Sequence, residues 1–139
     1  MLFPKKVKHR KWQSARLSKE KLARPETRGI TVAFGSFGLK AESSSRVSAA
    51  QIEAARRVMT RAAGKTAKVW IRIFPDRPVT QKAAEVPMGK GKGDPDRYVF
   101  EVRPGRVLFE VDGVTEAIAR ESLRKAGCKL PLKTRVVAR

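Results

Sequence analysis

Residues 48–74 read SAAQIEAARRVMTRAAGKTAKVWIRIF, and the period of their apolar positions changes once along the way. Ser48 and Gln51 have the S-x-x-Q spacing of a capping box, in which two exposed amides at a helix start are satisfied reciprocally. Beyond it, Ile52, Ala55, Met59 and Ala62 recur at three- and four-residue intervals, one face of a helix. That helix runs to about Ala63, where Gly64 can close it. Arg56, Arg57 and Arg61 lie largely off the apolar face. From Lys68 to Phe74 the period drops to two. Val69, Ile71 and Ile73 take one side; Lys68, Trp70, Arg72 and Phe74 take the other, as in a strand with one face buried. Pro75-Asp76 ends it. A capped amphipathic helix followed directly by an alternating strand sets the fold class.

On the N-terminal side, Ile30–Phe34 is short and rich in β-formers, and Phe37–Ala41 forms a second, weaker run; both read as strands. Residues 1–28 are polar and basic, lack a period and contain Pro4 and Pro25. They read as an extended arm preceding a single domain over residues 29–139. On the C-terminal side, residues 77–96 carry Pro78, Pro87, Gly89, Gly91, Gly93 and Pro95 and read as one long connection, a kind usually reserved for function or disorder. Arg97–Arg103 and Arg106–Val111 alternate and are joined by Pro104-Gly105, the pattern of a hairpin. Thr115 can cap a helix through Ala126 with Gly127 just past its end. Leu130, Leu132, Thr134 and Val136 alternate in a last strand, with Pro131 near its start. The order ββαβ–long loop–ββαβ lacks regular βαβ repetition. It predicts an α+β fold, two helices on a mainly antiparallel sheet.

Composition limits what such a domain can do. The 139 residues hold 32 Lys+Arg against 13 Asp+Glu, a net charge of +19. Small soluble domains usually carry about 2–8 charges in magnitude, and self-repulsion at the present density opposes compaction. A polyanionic partner is implied. The surplus is uneven. Residues 1–30 hold ten basic residues and two acids, and residues 65–92 hold seven and two. Residues 93–139 are nearly balanced at ten and seven. One cysteine, Cys128, excludes an intramolecular disulfide framework and reads as a small buried residue. No apolar run approaches the ~18–20 residues of a membrane-spanning helix, so no membrane partner is expected, nor any homo-oligomer.

Three stretches carry the chemistry. Met88-Gly89-Lys90-Gly91-Lys92-Gly93 combines glycines, which let a backbone approach phosphate closely, with alternating lysine point charges. It lacks the G-x-x-x-x-G-K-[ST] form of a nucleotide P-loop. Lys5, Lys6, Lys8, His9, Arg10 and Lys11, with Trp12 and then Arg16, join phosphate neutralisation to a stacking aromatic. Arg56, Arg57 and Arg61 offer forks suited to backbone phosphate. Lys40 and Lys82 are isolated cations. Catalysis has little support, since one histidine cannot build a Ser-His-Asp arrangement. Asp94 and Asp96 read as an Asp-Pro turn in preference to a magnesium site, and no cofactor is expected of the protein itself.

The chain resembles the bacterial large-subunit ribosomal protein sixteen family, whose archaeal and eukaryotic relatives are the ten-e proteins. The resemblance rests on Met1-Leu2-Phe3-Pro4-Lys5-Lys6, Phe34-Gly35-Ser36-Phe37-Gly38-Leu39-Lys40-Ala41, Gln51–Arg57, Trp70–Asp76, Met88–Gly93, Pro104–Glu110 and Lys129–Thr134, in that order. It implies an α/β-hammerhead-type fold and a non-enzymatic component of the large ribosomal subunit that binds 23S rRNA beside neighbouring ribosomal proteins. By the same resemblance, Lys5–Lys11 belong to an rRNA-embedded arm, and Arg56 and Arg57 face rRNA. The resemblance also implies that the Met88–Gly93 loop lies near the peptidyl transferase region and the A-site and P-site tRNAs. A cytoplasmic ribosome is the expected location, an organellar one the alternative. Many bacterial members place arginine before Met-Gly where this chain has Pro87, and Ser14–Thr27 departs from the usual Gly/Arg-rich stretch. A free-standing RNA chaperone or basic nucleic-acid-binding module is the rival reading, and an RNA-processing enzyme using Asp94 and Asp96 a third.

Overall fold

The computed structural model describes residues 1–14 and 18–139. Among the described residues seven strands form two antiparallel sheets, an α+β architecture. The larger sheet has the order β3 (Lys68–Ile71), β6 (Val107–Asp112), β1 (Phe37–Ala41), β7 (Thr134–Ala138). The smaller one has the order β2 (Ser45–Ser48), β5 (Asp94–Val102), β4 (Arg77–Gln81). Helices α2 (Ala49–Ala63) and α3 (Glu116–Gly127) pack on each other and against the larger sheet. Leu39, Phe109 and Val111 from the sheet meet Ile52, Ala55, Met59, Ala119, Leu123 and Ala126 in one core. Helix α1 (Lys19–Ala23) is a single short turn inside the arm, which otherwise lacks regular structure among the described residues.

The deciding stretch folds as its period dictates. The Ser48 hydroxyl accepts from the Gln51 amide, and the Gln51 side chain accepts from the Ser48 amide, completing the box. The buried face is Ile52, Ala55, Met59 and Ala63, with Ala62 only half-buried. Gly64 terminates α2 and returns its amide to the Thr60 carbonyl.

Several expectations are corrected. Ile30–Phe34 is not a strand, because the amides of Ala33 and Phe34, with that of Gly35, bond to a side chain, described below, and not to a neighbouring backbone. The expected strand Lys68–Phe74 stops at Ile71. The predicted loop 77–96 is largely a hairpin. β4 pairs with β5, and only residues 82–93 connect them. Pro78 is tolerated because β4 is an edge strand, and Pro95 sits beside a register shift at Val79/Thr80. Arg97–Arg103 and Arg106–Val111 do form strands, but they do not pair. Pro104-Gly105 carries the chain from the smaller sheet to the larger. There Gly105 donates to the Ala41 carbonyl at 2.7 Å, and Ala41 donates to the Arg106 carbonyl at 2.8 Å. Two of the four places where the chain changes sheets, β1 to β2 and β5 to β6, are thus bonded to each other. Finally, Gly127 is the last residue of α3, not its terminator, and Cys128 is exposed. Gly127 is glycine because a Cβ there would collide with the Thr134 hydroxyl. The last strand begins at Thr134, so Leu130 and Leu132 precede it, and Thr115 caps α3 by position without a side-chain hydrogen bond. Ser45–Ser48, unremarked in the sequence, is a strand that feeds straight into the α2 cap.

Candidate nucleic-acid interface

The two basic concentrations lie apart in the sequence, yet the fold places them side by side. Trp12 lies beside β4, with the Arg77 guanidinium 5.4 Å from its ring centroid. Arg77 also donates to the Gln13 carbonyl at 3.3 Å. Lys11 donates to the Lys92 carbonyl at 3.3 Å, and Lys92 donates in return to the Trp12 carbonyl. Asp94, the first residue of β5, receives Arg10 at 3.7 Å and Lys11 at 3.6 Å. Arm residues 10–13 therefore seat on the root of the glycine loop and form one surface with it. Asp96 pairs with Arg97 at 3.0 Å. Both acids start a strand instead of making the expected turn, and each carboxylate faces cations. Among the described residues no three His, Cys, Asp or Glu side chains gather in metal-binding geometry.

Beyond that root the loop projects. Met88 is 98% exposed, and Lys90 and Lys92 are exposed. Gly89, Lys90 and Gly91 all take positive φ, at 96°, 55° and 99°. Lys82 folds back to donate to the Gly89 carbonyl, so its ammonium braces the loop. Lys5, Lys6, Lys8, His9 and Arg10 are exposed. Arg16 lies outside the described residues. Lys40, in β1, is half-buried between Val107 and Arg135 of the flanking strands.

The arginines of α2 are less available than their sequence implies. Glu53 accepts from Arg56 Nη2 at 2.6 Å and Arg56 Nε at 3.0 Å, and from Arg57 Nε at 3.1 Å. The Arg56 hydrogen bond chiefly holds the Glu53 carboxyl down at about 2. This trio keeps a net single positive charge. Arg61 is exposed and forms no ion pair among the described residues.

Sequence reasoning missed Glu110. It stands on β6 with no exposed surface, opposite Gly38 and Trp70. Its carboxylate accepts from the Ala33 amide at 2.9 Å, Phe34 at 2.7 Å and Gly35 at 2.9 Å. Arg72 adds a 2.6 Å ion pair and also donates to the Thr31 carbonyl at 2.9 Å. Burial pushes the Glu110 carboxyl up, but these donors together outweigh it and hold the group below its ordinary value. The segment that joins the arm to β1 is thereby bolted across the outer face of the larger sheet. Gly35 makes this approach possible, since a Cβ there would lie 2.6 Å from the Val111 carbonyl oxygen. Alternation does place Trp70 and Arg72 on this face. Nothing local signals that Glu110, flanked by Phe109 and Val111 in β6, receives three amides from a segment about 75 residues away.

The sequence model of one protein family, described as Ribosomal protein L16p/L10e, matches residues 4–137. The match takes in the arm, the glycine loop, both sheets and both long helices.

Proposed function

Because the chain belongs to the L16p/L10e family of ribosomal proteins, structural and non-enzymatic components of the large ribosomal subunit, we propose that its joined arm and loop surface binds 23S rRNA and that the loop tip contacts tRNA. The observation that carries this reading is the seating of residues 10–13 on the root of the 82–93 loop. It turns two basic segments into one continuous cationic surface with a projecting tip.

The mechanism is electrostatic and geometric. Lys5, Lys6, Lys8, Arg10 and Lys11 replace counterions around folded rRNA and so relieve the repulsion between packed RNA helices. His9 and Trp12 add planar groups to the same arm. Each phosphate neutralised contributes about 0.7–0.9 to the log–log salt slope of binding. Arg57 and Arg61 supply further cations on α2, while Arg56 orients Glu53 and with it Arg57. Met88, Lys90 and the flanking glycines meet the A-site tRNA, and the P-site tRNA lies within the same reach. No step involves bond making, and no cofactor is required of the protein beyond Mg2+ held by the RNA.

Sedimentation of a cell lysate through a sucrose gradient tests the assignment. The protein is expected with the large subunit and with intact ribosomes. Recovery at the top of the gradient while large subunits sediment normally would support a free-standing RNA chaperone instead.

A further inference from the structure

A second surface, which the arm's Leu2 borders, is aromatic. On the outer face of the larger sheet, Phe34 stacks on Trp70 with ring centroids 6.2 Å apart and planes inclined by 20°. The Arg72 guanidinium lies 5.3 Å from the Phe34 centroid. Trp70 also lines a shallow cleft of about 550 Å³ with Arg72, Phe74, Phe100 and Arg106. Phe34 remains 58% exposed and Phe74 43% exposed. Exposed aromatic side chains in a contiguous group, unlike scattered ones, mark a contact surface.

We propose that Phe34, Trp70, Phe74 and Arg72 form a stacking platform for an unpaired nucleotide of rRNA. This rests on the rRNA-binding reading above and gives that reading a second kind of contact. Three observations select a nucleotide as occupant. The chain carries +19, and the cleft presents Arg72 and Arg106 with one acid, Asp76, at its edge. Aromatic rings beside guanidinium planes are the groups on which splayed bases stack. The platform is also built in advance. Glu110 holds the Phe34 amide and the Arg72 guanidinium with the same carboxylate, so the stack is ordered before any ligand arrives. A base meeting it loses little conformational freedom of the protein on binding.

The test uses the full chain carrying Trp12→Phe, which leaves Trp70 as the only tryptophan. Its fluorescence is titrated with a short oligoadenylate and, separately, with a blunt RNA duplex of equal length. Oligoadenylate is expected to quench Trp70, whereas the duplex leaves its emission unchanged. Phe34→Ala is expected to weaken oligoadenylate binding about tenfold, in keeping with loss of one stacking contact. Because no charge is removed, the salt slope stays the same. Phe34→Leu, which keeps bulk without a π-face, is expected to lose nearly as much. Absence of quenching, or equal weakening towards oligoadenylate and duplex, overturns the proposal. So does unchanged oligoadenylate affinity accompanied by loss of a neighbouring ribosomal protein from purified subunits, which would assign this face to a protein. These outcomes leave the broader reading intact when the unaltered chain still sediments with the large subunit, so the two failures are distinguishable.

Discussion

Glu110 is the residue on which most of the outer face depends. A buried carboxylate survives only with full hydrogen bonding, and here three amides and one guanidinium provide it. Glu110→Gln keeps the shape but removes the charge, leaving Arg72 half-buried beside a neutral amide. Breaking one side of such a pair costs about 3–5 kcal/mol, and we expect about 3 kcal/mol by urea unfolding, since Arg72 keeps partial access to water. The pH dependence follows from the direction of the shift. The folded carboxyl titrates below its ordinary 4.5, so the native state binds fewer protons than the unfolded chain over that window. The contribution is complete above about pH 5, where both states are ionised, and is lost as pH falls from about 4.5 through the folded value. The stability gap between the unaltered protein and Glu110→Gln should therefore be constant at neutral pH and shrink on acidification. A gap that persists undiminished at low pH would show that geometry, not charge, is what the carboxylate supplies.

At the scale of elements, local chemistry decides most boundaries and tertiary chemistry decides the exceptions. Ser48→Ala removes the acceptor for the Gln51 amide and should cost about 1 kcal/mol, read from the thermal midpoint. Gly127→Ala is a sharper test. In isolation the exchange favours a helix by about 1 kcal/mol, but the new methyl meets the Thr134 hydroxyl. The single variant should destabilise, and adding Thr134→Ala should reverse the sign. These two sites also mark what was legible. The capping box, the 3.6-residue period and the glycine stop are all written within seventeen residues, so α2 could be read to within one position. Thr115–Gly127 was nearly as clear. Arg97–Val111 was misread because a Pro-Gly turn states only that the chain reverses. It does not state that Ala41, some sixty residues earlier, will take the turn's hydrogen bonds. Ile30–Phe34 failed for the same reason, its neighbouring amides being claimed by one distant carboxylate. Pro78 and Pro95 argued for a loop because edge position and a bulge, which excuse them, are properties of the sheet.

For the whole molecule, the charge map predicts two interaction segments, and the structure joins them through Lys11 donating to the Lys92 carbonyl, Lys92 donating to the Trp12 carbonyl, and a shared acid, Asp94. The two loop lysines consequently have different duties. Lys90 sits at the left-handed tip and forms no ion pair among the described residues, whereas Lys92 reaches back to the arm. Lys90→Ala should weaken tRNA accommodation while leaving subunit occupancy intact after a high-salt wash. Lys92→Ala should weaken both tRNA accommodation and subunit occupancy, because it frees the Trp12 carbonyl and loosens residues 10–13 from the loop root. Limited trypsin digestion of the free protein separates the two effects. Cleavage after Arg10 and Lys11 is expected to accelerate in Lys92→Ala and to be unchanged in Lys90→Ala. Asp94→Asn should resemble Lys92→Ala in this assay, since it removes the acceptor shared by Arg10 and Lys11. Exposed ion pairs contribute at most about 1 kcal/mol each, so the acceleration should be severalfold and should vanish as added salt screens the pair. Equal cleavage in all three variants would mean that the Trp12 and Arg77 contact alone seats the arm, and that the two basic segments meet rRNA independently.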